Sequence, residues 1–346
     1  AHYLMRLKSR TAPVVIHLAL LAVAALALPL SIASGWGEPP ASGYAFWLLG
    51  LFAASIGLPF FALAANNPLL QAWFVRTGHP DGPDPYFLYA SSNIGSFLAL
   101  LSYPVLLEPM FTLRMQSAIW TGGYGILFLL IAACGVLLLR SPPVEVREEG
   151  SDAPAPSWTV RLRWVFLAAV PSGLLIAVTA HISTDVAAAP LLWVLPLSLY
   201  LLTWVLVFQS RPLLPHKWML MAQPVAIGGI LVSLAVGGEQ DLLLTLGAHQ
   251  VCFFVIAMAC HGELARTRPP ASHLTEFYVA LSFGGMVGGL FAGLVAPYAF
   301  SWIAEYPILL ALAALCRPAG TTPVRGASAL WLVMAAAAVG LLAISF

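Results

Sequence analysis

The chain has 346 residues, of which 60% are hydrophobic and 8% charged, and its net charge is +1. A water-soluble domain carries roughly 25% charged residues, so a surface this poor in charge excludes a soluble globular protein. Fifteen Lys and Arg residues scattered over short connectors exclude a nucleic-acid-binding face.

Crossing the hydrocarbon core takes about 20 apolar residues in a helix, whose backbone polar groups are satisfied internally where lipid offers no partner. In chain order the sequence predicts such spans at 13–34, 44–66, 86–107, 116–139, 164–182, 186–208, 218–237, 241–260, 275–297, 301–316 and 327–345. The expected fold class is therefore all-α, a polytopic transmembrane bundle of about eleven helices. Ten further spans follow the first, which marks it as a membrane helix and not a cleaved leader. Asn66 and Asn67, before Pro68, read as a helix end, and His261 and Glu263 as the start of a loop. Glu305 and Pro307 weaken the tenth span. Cys134, Cys252, Cys260 and Cys316 lie in or beside apolar runs and read as buried structural thiols.

Charge orients these spans. With the N-terminus inside, Arg114 is the one basic residue of 15 left outside, while Glu38, Glu108, Asp185, Glu239, Asp241 and Glu305 fall in outward loops. The opposite orientation reverses the count, against the positive-inside bias. The expected location is the bacterial inner membrane, multi-pass, with a cytoplasmic N-terminus.

The stretch 140–163 is charged and Pro-rich and reads as a cytoplasmic linker. It separates a first bundle, 1–139, from a second, 164–316, with an extra helix in 317–346. The two sides share a short pattern. Phe60-Phe61-Ala62-Leu63-Ala64 corresponds to Phe253-Phe254-Val255-Ile256-Ala257, each ending an inward span. Tyr86-Phe87-Leu88-Tyr89-Ala90-Ser91-Ser92-Asn93-Ile94-Gly95 corresponds to Glu276-Phe277-Tyr278-Val279-Ala280-Leu281-Ser282-Phe283-Gly284-Gly285. Paired spans running in the same direction describe a parallel, major-facilitator-like repeat about the membrane normal. Aligned this way the first half has four helices of six, and the expectation is that two N-terminal helices are missing from it.

Several motifs occur in one order: Gly57-Leu58-Pro59-Phe60-Phe61 with Pro68-Leu69-Leu70-Gln71, then Leu101-Ser102-Tyr103-Pro104, His181-Ile182-Ser183-Thr184-Asp185, Pro190-Leu191-Leu192-Trp193-Val194-Leu195-Pro196, Cys260-His261-Gly262-Glu263 and His273-Leu274-Thr275-Glu276-Phe277-Tyr278. With them the chain resembles the membrane part of bacterial fused major-facilitator/spermidine-synthase-like proteins. The resemblance implies a helical membrane domain, usually with two further N-terminal helices and often joined to a synthase-like domain. No strand followed by a Gly-rich nucleotide loop is present to carry aminopropyl transfer, so the chain is expected not to be an enzyme.

Polar groups at membrane depth are costly and mark candidate sites. His181 and Asp185, at i and i+4, are either an interfacial helix end or a proton- or cation-binding pair. His249 and Gln250 sit near the middle of a span and must face protein or a water-filled cavity. Asn93 lines a cavity or joins helices, and Glu276 is placed to pair with Arg266 or Arg268. Gly284, Gly285, Gly288, Gly289 and Gly293 form small-residue ridges for close helix packing. No ligand spacing for a metal is seen and no cofactor is expected.

Two functions stay open: a transporter-like bundle moving a small, cationic solute, and a non-transporting subunit packed in a larger membrane complex. The partners expected are the lipid bilayer and, according to which reading holds, a small solute or other membrane-protein subunits; nucleic acid is not one.

Overall fold

The computed structural model describes residues 2–5, 7, 9–142, 155–186, 191–209, 212–236 and 241–318. No strand occurs among them. The helices are α1 (Thr11–Ala25), α2 (Tyr44–Ala64), α3 (Asn66–Val75), α4 (Phe87–Ser102), α5 (Leu113–Arg140), α6 (Trp158–His181), α7 (Val194–Val207), α8 (His216–Val236), α9 (Leu242–Arg266), α10 (Leu274–Leu290) and α11 (Glu305–Leu315). Among the described residues, seven helical stretches are long and apolar enough to cross a membrane; α1, α7 and α11 are apolar but shorter. The chain is a multi-pass helical membrane protein. The predicted span 327–345 lies outside the described residues, as do Arg147 and half of the predicted linker.

Boundaries differ from expectation where a local signal overrides hydropathy. The first span was expected to reach residue 34, but α1 stops at Ala25. Pro29 has no N–H to give and disfavours helical backbone at the residue before it. Conversely, α6 starts at Trp158, inside the predicted linker, because the Ser157 hydroxyl accepts the Val160 N–H at 3.4 Å and caps the helix. Asn66 and Asn67 do stand at a helix end, since α2 closes at Ala64, yet the chain re-enters helix at once as α3. Three helices, α4, α6 and α10, run on into π-helical turns at Tyr103–Leu107, Ile182–Val186 and Phe291–Val295.

Backbone contacts divide the chain into two units. The first holds α1, α2, α3, α5 and Pro270–Glu276. Its core gathers Val14, Leu21, Ala24, Ala62, Trp73, Tyr124, Ile131 and Leu138 around α1. Polar groups of α1 are met by its neighbours: His17 Nε2 lies 2.5 Å from Asn66 Oδ1, and the Tyr124 hydroxyl donates to the Leu21 carbonyl at 2.8 Å. At the start of α1, the Arg10 guanidinium donates to the Leu138 and Ser141 carbonyls at 2.7 and 3.2 Å, and Arg76 donates to the Met5 carbonyl at 2.8 Å. Arginine thus closes the last turn of α5, whose final carbonyls have no intrahelical partner.

The second unit holds α4 from Tyr89, α6 to α9, α10 from Phe277, and α11. It is the densely packed one: 56% and 50% of the apolar windows of α6 and α9 are buried, against 22% for α5. Its arginine device is similar. Arg163, in the first turns of α6, donates to the Cys316 and Arg317 carbonyls at 2.9 Å each, closing the end of α11, and Arg317 in turn donates to the Leu220 carbonyl. Gln223 on α8 donates to the Ala313 carbonyl at 2.8 Å. Helix α10 lies with its backbone on α6: a Cβ at Gly284 or Gly288 would collide with the carbonyl oxygens of Val165 and Ala169, respectively. The Ser172 hydroxyl donates to the Gly285 carbonyl across the same contact at 2.9 Å.

This contact separates the glycines into two kinds. Gly288→Leu is expected to force α10 off α6 and to cost about 1–3 kcal/mol or more, read from the midpoint of unfolding in mixed detergent. Gly285→Ala, whose new methyl would meet nothing nearer than Ser172 Oγ at 3.9 Å, is expected to leave the midpoint nearly unchanged.

Candidate functional site

Helix α9 forms the spine of the second unit. Its start is fixed by Asp241, whose carboxylate accepts the Leu244 N–H at 3.0 Å. From Cys252 to Leu264 all but Phe254 are buried by neighbouring helices. A helix so enclosed is ordinarily apolar all round, but α9 carries His249, Gln250, His261 and Glu263, each at most 9% exposed. With 1.5 Å of rise per residue, His249 and His261 are about 18 Å apart along the axis, and His249, His261 and Glu263 are each met by different neighbours.

His249 faces α6 and α11. Its Nδ1 is hydrogen-bonded to the Tyr306 hydroxyl at 2.7 Å. Its ring lies 4.6 Å from that of His181, the last residue of α6, and both imidazoles are 5.5 Å from the Tyr306 ring. The three rings form one buried cluster. Beside it, both polar atoms of the Gln250 amide are buried and meet no hydrogen-bond partner among the described residues.

His261 faces α7. The Thr203 hydroxyl has a single hydrogen, which it donates to the Tyr200 carbonyl at 2.6 Å. Its contact of 2.8 Å with His261 Nδ1 must then be one in which the imidazole donates, so the proton sits on Nδ1. The ring is stacked on Trp204 at 3.7 Å, and its buried Nε2 meets no hydrogen-bond partner among the described residues.

Glu263 faces α8. Its Oε2 lies 3.5 Å from His216 Nε2 and 3.3 Å from Arg266 Nε. His216 reaches it only because residue 262 is glycine; a Cβ there would collide with the imidazole.

Among the sequence-derived candidates, the structure brings His181 and His249 together. The side chain of Asp185 lies outside the described residues. Asn93 turns back on its own helix, donating to the Tyr89 carbonyl at 2.8 Å. Glu276 Oε2 lies 3.4 Å from His273 Nδ1, and Arg266 goes to Glu263. Gly284 and Gly288 touch the α6 backbone, and Gly289 and Gly293 would place a methyl 3.7 Å from Ile176 Cδ1. His261 and Glu263 were expected to open a loop, but α9 continues to Arg266 and buries both. Tyr306 was missed; the signal was the interruption Glu305-Tyr306-Pro307, where a polar group survives at the start of a short apolar helix. Among the described residues no group of three or more His, Cys, Asp and Glu side chains could hold a metal ion.

No protein-family model matches the chain, and no curated protein or solved structure does. Composition and fold together define a helical integral membrane protein with at least seven membrane-length apolar helices.

Thr203→Val removes the acceptor of the His261 N–H and leaves that imidazole buried without a partner on Nδ1. It is expected to destabilise the second unit by about 1–3 kcal/mol, while Thr203→Ser, which restores the oxygen, recovers most of the loss. Detergent unfolding of the two variants beside the parent checks this.

Proposed function

We propose that the chain is a transporter-like, non-enzymatic membrane protein of the fused major-facilitator/spermidine-synthase-like kind, with the His181–His249–Tyr306 cluster as its solute- or proton-handling site. In this reading it resides in a bacterial inner membrane with its N-terminus in the cytoplasm, and the stretches 1–139 and 164–316 descend from a parallel repeat. The observation that carries the reading is the cluster itself. Two imidazoles on membrane-length helices and a phenol on the short apolar α11, buried and in ring contact, are costly to maintain and are groups on which intramembrane proton and cation steps depend. The amide of Gln250 adds donor and acceptor capacity beside it.

A second reading, a subunit that packs in a larger complex without transporting, draws on α5. Gly122, Gly123 and Gly125 lie on this long helix with open space where a side chain would be, and small residues in lipid-facing positions admit another helix closely. Recovery of a lone monomer from mild detergent counts against it.

The transport reading is tested in vesicles carrying a pH-reporting dye inside. Addition of a linear diamine outside is expected to change the internal pH in the wild type, about tenfold more slowly with His249→Phe, and unchanged with Asn93→Ala. No pH change for the wild type, or an unaltered rate for His249→Phe, rejects the assignment.

A further inference from the structure

In the first unit, α1 and α5 run antiparallel in a steady register. Arg10 reaches the Leu138 carbonyl, the Tyr124 hydroxyl reaches the Leu21 carbonyl, and the Ser117 hydroxyl donates to the Leu30 carbonyl at 2.9 Å. The pairing therefore outlasts α1, which stops at Ala25, and residues 26–30 follow α5 without being helical. Ser117 and Leu138 are about 32 Å apart along α5 at 1.5 Å per residue, close to the roughly 30 Å thickness of the hydrocarbon core. Because α5 crosses the bilayer, the Arg10–Leu138 contact stands near one boundary of the hydrocarbon and the Leu30–Ser117 contact near the other.

A cleft of about 780 Å³ opens at this second boundary, with Leu26 to Ser31 on one side and Leu113, Arg114 and Ser117 on the other. That size falls within the roughly 300–1,000 Å³ typical of ligand sites. Arg114 is exposed and is the one charged residue lining the cleft. Its guanidinium makes no ion pair or hydrogen bond among the described residues, and neither do the N–H groups of Leu30 and Ser31. A smaller apolar hollow of about 300 Å³ adjoins the cleft, sharing Leu30 and Ser31 and continuing along Leu51, Phe52 and Ile56 of α2. The hydroxyl of Ser55, also in its wall, is already engaged with the Leu51 carbonyl and the Ala33 N–H.

We infer that the cleft and its hollow bind one anionic phospholipid, with the phosphodiester on Arg114 and an acyl chain along Leu51, Phe52 and Ile56. Depth, charge and lining argue for it together. The cleft stands at the level where a lipid carries its phosphate. One guanidinium can meet two phosphate oxygens at once, and one unpaired arginine matches the single charge of a phosphodiester. A zwitterionic lipid brings an ammonium group as well, and no carboxylate lines the cleft to receive it. A soluble phosphate uses Arg114 and leaves the apolar hollow without purpose.

The test titrates the full chain in detergent with phosphatidylglycerol, phosphatidylcholine and glycerol phosphate, counting bound ligand by native mass spectrometry. Phosphatidylglycerol is expected to bind about fivefold more tightly than phosphatidylcholine, the worth of one arginine against an acidic lipid. Arg114→Gln is expected to abolish that preference and Arg114→Lys to keep part of it. Neither variant removes a hydrogen bond or ion pair that holds α1 to α5. Ile56→Trp, which fills the hollow and leaves every charge in place, is expected to weaken phosphatidylglycerol and not glycerol phosphate. Equal binding of the two lipids, a preference that survives Arg114→Gln, or phosphatidylglycerol binding that survives Ile56→Trp unchanged overturns the proposal. Displacement of the lipid by glycerol phosphate at matching concentration also overturns it and identifies a soluble-anion site.

Discussion

Hydrocarbon offers no hydrogen bond, and that one constraint governs nearly every polar contact in this chain. Backbone amides are satisfied inside helices, but each helix ends with carbonyls that its own turns cannot reach. Arginine does much of this work. Arg10 closes α5 and Arg163 closes α11. Each also stands at the start of an oppositely running helix, so one guanidinium joins the beginning of one span to the end of another. Basic residues on whose distribution the expected orientation rests are therefore also helix-end fasteners.

The same constraint explains why the polar groups of α9 are not scattered. A histidine or glutamate on an enclosed helix must find its partner on whichever neighbour lies at its own angle. His249 meets Tyr306 on α11, His261 meets Thr203 on α7, and Glu263 meets His216 on α8. These contacts fix the rotation of α9 against three helices, which apolar packing alone specifies weakly in lipid. Elsewhere in the unit, glycines of α10 settle directly on the backbone of α6. The outcome is a unit whose packing is specified by a few polar contacts and one stripe of missing side chains.

Hydropathy made the spans legible, because a run of about 20 apolar residues has few other uses. It was poor at their ends. Hydropathy alone does not register the effect of Pro29 on the last turn of α1, or the capping of α6 by Ser157. It also mistakes buried polar residues for loop residues, which is why α9 was expected to stop near Cys260 when His261 and Glu263 are still inside it. The site was half visible. His181 and His249 stand out as histidines in apolar runs, but 68 positions separate them, and their 4.6 Å ring contact depends on how α6 and α9 cross. Tyr306 was hidden because its neighbours Glu305 and Pro307 drew attention to the weakness of the helix and away from its use. Partners across helices are set by rotation and crossing, which no local pattern encodes.

The account stands on α9 crossing the bilayer with its polar side chains held at depth. Labelling of single cysteines at Leu242 and Thr267, near its two ends, with a membrane-impermeant maleimide measures this directly. The account predicts that Leu242→Cys reacts in intact cells and Thr267→Cys reacts only in inverted vesicles. Reaction of both from the same side would contradict it.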